Sequence, residues 1–88
     1  MSRYCRLRWE HPERDDYHEV ILDRDLFGDW YLQQIWGHRR QSVGHCVQRI
    51  VDNFSAGQTI LLQFAHDRKA EGSVLTLKQG DYYWPIKA

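Results

Sequence analysis

Trp30-Tyr31-Leu32-Gln33-Gln34-Ile35-Trp36-Gly37-His38-Arg39-Arg40 begins as a strand and ends as a charged turn. Trp30, Leu32, Gln34 and Trp36 fall on one side of a period-two pattern, and Tyr31, Gln33 and Ile35 fall on the other. The run breaks at Gly37, where the missing Cβ allows a close backbone approach that other residues resist. Gly37 to Gly44 therefore reads as a loop carrying His38, Arg39, Arg40, Gln41 and Ser42. His45 to Val51 returns as a further strand, and Trp36 falls near the tip of the resulting hairpin.

The same alternation extends toward the N-terminus. Cys5, Leu7 and Trp9 share one face of a strand over Tyr4 to Glu10, opposite Tyr4, Arg6, Arg8 and Glu10. His11-Pro12-Glu13-Arg14-Asp15-Asp16 is a turn, and Tyr17 to Asp23 a second strand rich in β-branched and aliphatic residues. The connection Asp23 to Asp29 contains Gly28, and its Leu26 and Phe27 are expected to fold back onto the core. Such short connections permit antiparallel pairing and exclude parallel crossovers.

Toward the C-terminus the period changes. Ser55-Ala56-Gly57-Gln58 has the form of a capping box, and Ile60, Leu61, Phe64 and Ala65 follow at helical spacing. The spacing predicts a helix over 56–71, with Gly72 as its C-terminal cap. Val74 to Lys78 is a short final strand, and Gly80-Asp81 turns the chain toward Tyr82-Tyr83-Trp84-Pro85. The expected fold is α+β: an antiparallel meander of four to five strands with one packed helix.

Composition narrows the function classes. Eighty-eight residues, 42% hydrophobic with twelve aromatics, make one folded domain over residues 1–88. Twelve basic residues balance twelve acidic ones, so the chain lacks the global positive field of a non-specific DNA binder. Any contact with nucleic acid must come from a local patch. Cys5 and Cys46 leave one disulfide geometrically open, but without a secretory h-region the expectation is reduced thiols in a cytoplasmic protein. No apolar run has the length to span a bilayer.

Catalytic and metal motifs are missing from the spacing. The five histidines form no His-x3-His pair, and the two cysteines form no Cys-x2-Cys pair. A loop site of His38, His45 and Cys46 is conceivable, but scattered surface histidines are the favoured reading. His45 and Cys46 are strand neighbours and point to opposite faces, which argues against a dyad. No enzyme activity, metal or cofactor is expected.

The residues in combination resemble a known family. Leu7-Arg8-Trp9, the segment Asp25-Leu26-Phe27-Gly28-Asp29-Trp30, the Trp36-Gly37 turn, a further strand and a helix occur in the order of the WGR domain, named for a Trp-Gly-Arg motif. That family occurs beside the catalytic region of poly(ADP-ribose) polymerases and as short bacterial proteins. The resemblance covers about residues 3–75, leaving an aromatic C-terminal extension over 76–88. It implies a non-enzymatic module that contacts DNA ends or sugar-phosphate backbone. By motif position, Trp36 would stack or pack against the ligand and Gly37 would let the backbone approach. His38 stands where the family has Arg, and an imidazole lacks the permanent forked charge of a guanidinium. Arg39 and Arg40 are the candidates to replace it, with Arg49 projecting from the fourth strand. Arg68 and Lys69 are already explained by the helix dipole. The alternative is a protein-interaction module or homodimer, favoured by the neutral charge, the missing motif Arg and the abundant aromatics; Tyr82, Tyr83 and Trp84 are expected to pack over the sheet, with a dimer contact as the minority reading.

Overall fold

Strand β1 (Cys5–Glu10) buries every second residue, Cys5, Leu7 and Trp9, as the period-two pattern predicts. In the computed structural model, which describes residues 4–41 and 43–80, it is followed by β2 (Asp16–Arg24), β3 (Trp30–His38), β4 (His45–Val51), helix α1 (Phe54–Ala70) and β5 (Val74–Gly80). The five strands form one antiparallel sheet in the order β4-β3-β2-β1-β5. The fold is α+β. Successive hairpins lay down β1 to β4, and β5 returns to the free edge of β1, with a register shift between Arg8 and Trp9.

One face of the sheet carries the core. Leu7 and Leu22 meet Val20, Leu32, Val51, Phe54 and Leu61 in one buried cluster with Cys5 and Trp9. The helix lies on this face: Phe54 packs its ring 5.1 Å from Trp30, and Phe64 lies 5.7 Å from Trp9. Gly57 brings the helix down onto Leu22, where an added Cβ would lie 2.9 Å from Cδ2. Among the described residues no helix is long and apolar enough to cross a membrane.

Three local expectations are corrected. The helix starts earlier than the Ser55–Gln58 pattern implies, because Asn53 is the cap and its Oδ1 accepts from the Ala56 N–H at 2.7 Å. Gln58 is buried and takes no part in a capping box. Strand β3 continues through Gly37 and His38, so the loop is shorter than Gly37 to Gly44. Leu26 and Phe27 do not fold back: both side chains are almost completely exposed. The Asp25 carboxylate accepts from the N–H groups of Phe27 and Asp29, each at 2.9 Å, closing a tight turn that aims the two side chains outward. Phe54 instead covers this end of the core.

The C-terminal strand runs to Gly80, two residues past the expected end, and Gly72 follows the helix at φ +92°. The predicted turn residue Asp81 and the aromatic group Tyr82, Tyr83 and Trp84 lie outside the described residues, as does Ser42. No disulfide joins Cys5, in the core, to Cys46, exposed on β4.

Candidate nucleic-acid interface

Trp36 stands opposite His18 of β2 and opposite His45 of β4. Residues directly opposite in a sheet share a face, so the three rings rise side by side. The Trp36 and His45 centroids are 5.4 Å apart and 21° from parallel; those of Trp36 and His18 are 6.4 Å apart at 17°. Beyond His18 the row is anchored in the helix, with Phe64 edge-on at 5.8 Å and Arg68 Nη1 3.1 Å from His18 Nε2. An Arg nitrogen is always a donor, so Nε2 accepts and His18 is neutral with its proton on Nδ1. Burial, then the Arg68 charge, holds the His18 pKa below the ordinary imidazole value. Trp36 is half-buried with an imidazole beside each face, while His45 is exposed on the edge strand. The accessible stacking surface is therefore the outer face of His45 together with the upper edge of the Trp36 indole.

Gly37 has an intramolecular reason to be glycine. It lies beside Gly44, and a Cβ on it would come within 3.1 Å of Gly44 Cα and 3.4 Å of the Tyr17 ring. A Cβ on Gly44 would meet the Tyr17 hydroxyl at 2.8 Å and the Trp36 carbonyl oxygen at 2.9 Å. The Tyr17 ring thus occupies the space that two side chains would take, and the Arg8 guanidinium lies 4.3 Å from its centroid on the other side.

The cations at the turn differ sharply in how far they are committed. His38 Nδ1 lies 3.4 Å from Asp16 Oδ1. Arg39 is a clamp: its guanidinium donates to Glu10 Oε1 at 3.1 Å, to the Arg14 carbonyl at 2.9 Å and to the His11 carbonyl at 3.3 Å. Its backbone N–H also donates to the Asp15 carbonyl at 2.7 Å, tying the β3–β4 loop to the β1–β2 turn. Hydrogen bonds from Arg8 and, more weakly, Arg39 hold the Glu10 carboxyl below its usual range, against a partial opposing effect of burial. Arg40 is different. Its backbone N–H is held by Asp15 at 3.1 Å, but its side chain is 89% exposed and only grazes that carboxylate at 3.8 Å. Arg49 is exposed on β4, on the same face as His45, and has no carboxylate partner among the described residues.

The structure therefore brings Trp36, Gly37, His38, Arg39 and Arg40 to one end of the sheet and places Arg49 further along its edge. Arg6 and Arg8 lie on the opposite face, as expected, but pair with the nearly buried Glu19 carboxylate at 3.1 and 3.5 Å. A groove of about 320 Å³ opens at the Trp36 end, lined by Asp16, His18, Trp36, His38, Val43 and His45 among others. Sequence reasoning missed His18 and His45 as members of the aromatic row. The hairpin register would have found them, since His45 is the first residue of the returning strand. Among the described residues no group of three or more His, Cys, Asp or Glu is arranged to hold a metal ion. Cys46 Sγ, on the other face from His45, accepts from Gln33 Nε2 at 3.0 Å. No known family model, curated protein or solved structure matches the chain.

Proposed function

We propose that this chain is a non-enzymatic, WGR-like binding module that contacts the sugar-phosphate backbone of nucleic acid, at DNA ends or nicks. The observation that carries the reading is the half-exposed His18–Trp36–His45 row beside two uncommitted guanidiniums. A sugar or an unstacked terminal base packs on His45 and the Trp36 edge, while Arg40 and Arg49 neutralise phosphates. Contacts of this kind position a strand without reading base edges. Glu10, Asp15 and Asp16 surround the turn and limit the attraction, so affinity is modest.

A labelled duplex with a free 5′ end, titrated at low salt, tests the proposal. Micromolar binding is expected. Its logarithmic salt slope should be near −2, because about two phosphates are neutralised. Arg40→Ala with Arg49→Ala should flatten that slope, and His45→Ala should weaken binding several-fold, each without moving the thermal midpoint. No binding at high micromolar protein overturns the proposal.

A second reading, a protein-interaction module, is favoured by a specific observation: Leu26 is 101% and Phe27 91% exposed at the tip of a hydrogen-bonded turn. A preordered apolar knob fits a pocket on another protein and costs little ordering entropy on binding. Asp23, Asp25 and Asp29 around it suit a pocket with a cationic rim. A stoichiometric, nuclease-insensitive partner that wild type retains and a Leu26→Ser, Phe27→Ser variant loses supports this reading. Equal retention by both discards the knob.

A further inference from the structure

The outer edge of β4 is open. Among the described residues no strand pairs with it, and His45 through Ile50 are all exposed, with Val47 at 51% and Ile50 at 62%. Sheet edges are ordinarily blunted by proline, bulges or several charges. His45-Cys46-Val47-Gln48-Arg49-Ile50-Val51 has no proline, no acid and one Arg, and it pairs with β3 without a register break.

The direction of its backbone groups follows from a bond outside the strand. The Arg39 N–H donates to the Asp15 carbonyl, so Asp15 and Arg39 form a hydrogen-bonded pair, and alternation makes Tyr17–Gly37 the next. Trp36 then turns its N–H and C=O toward β4 and bonds with His45, as do Gln34 with Val47 and Leu32 with Arg49. Cys46, Gln48 and Ile50 accordingly direct their N–H and C=O groups away from β3, toward solvent.

We propose that two copies of this chain join antiparallel through β4, on a twofold axis at Gln48, into one continuous sheet. The strand is self-complementary in that register. Gln48 faces Gln48 of the second copy and Cys46 faces Ile50, so all three outward-directed residues form hydrogen-bonded pairs. On the helix face Val47 lies against the aliphatic stem of Arg49, and His45 faces Val51. A shift of two residues one way sets Arg49 against Arg49; the other way sets Arg49 against His45 and leaves Ile50 unpaired. Full overlap and the separation of like charges thus select the same register. The pairing goes beyond the nucleic-acid reading and does not rest on it; Val51 of the second copy covers the outer face of His45, so a strand stacked there and the second copy compete for one surface.

Sedimentation equilibrium of the full chain, free of nucleic acid, should give twice the chain mass, with a dissociation constant of about 10–500 µM for an interface of this small class. Gln48→Pro removes an N–H that β3 does not use, so the fold persists while dimerisation weakens at least about tenfold. Gln48→Lys places like charges across the axis and has the same effect, which keeps the test valid if the proline variant does not fold. For register, Gln48→Cys in a Cys46→Ser background should oxidise to a linked dimer, because hydrogen-bonded pairs bring Cα atoms to about 5.5 Å, within disulfide reach. Val47→Cys in that background should not. A monomer at about 1 mM protein, a dimer that survives both the folded proline variant and the lysine variant, or equal oxidation of Val47→Cys each overturns the proposal.

Discussion

At His18, burial and the Arg68 guanidinium act in the same direction, against a proton; Arg14 adds weakly to them, while Glu71 and Asp16 oppose. The folded imidazole therefore titrates below its ordinary value, and the unfolded chain takes up the proton first as pH falls. Stability from this residue is complete above the ordinary imidazole range, near 6.5, and declines on acidification toward the lower folded value. The thermal midpoint should fall between about pH 7.5 and pH 5.5, and His18→Gln should flatten that dependence. An unchanged slope in the variant would remove His18 as the cause. At this scale the sequence was legible in part. Trp36 and Gly37 stand out by type and spacing, but Arg39 and Arg40 are adjacent and alike in sequence. Only the three-dimensional positions of Glu10, Arg14 and Asp15 separate a clamp from an exposed cation.

At the scale of elements, α1 is seated on the sheet by Phe54, Leu61 and Phe64 and by the close approach of Gly57 to the fully buried Leu22. Alanine in place of glycine normally favours a helix by about 1 kcal/mol. Here the added methyl collides with both Leu22 methyls, and overpacking of a closed core costs about 1–3 kcal/mol. Gly57→Ala should therefore lower stability by about 1 kcal/mol in urea unfolding, with partial recovery when combined with Leu22→Val. A gain in stability from Gly57→Ala alone would refute this account of the seat. The strands were legible because alternation is a local signal, and the helix because its period differs. Its start was not, because Asn53 and Ser55 are both good caps, and it is Asn53 whose Oδ1 accepts from the Ala56 N–H. The Leu26-Phe27 turn misled for a related reason: apolar character predicts burial, whereas Asp25 dictates the direction of the turn.

Across the whole molecule, the order β4-β3-β2-β1-β5 leaves the two outer strands with different neighbours in the chain. β4 joins the sheet through a local hairpin, but β5 pairs with β1 and sets Gly80 opposite Cys5. Every other pairing in the sheet is between consecutive strands, and so is available to a nascent chain as each hairpin is completed. The β1–β5 closure waits. During synthesis at about 5–20 residues per second, β1 remains an exposed edge for seconds after its hairpin with β2 has been made. The long loop closure also places this step late in refolding. The interval in which the β1 edge is open to mispairing is thus set by when β5 emerges, whatever the stability of the finished sheet.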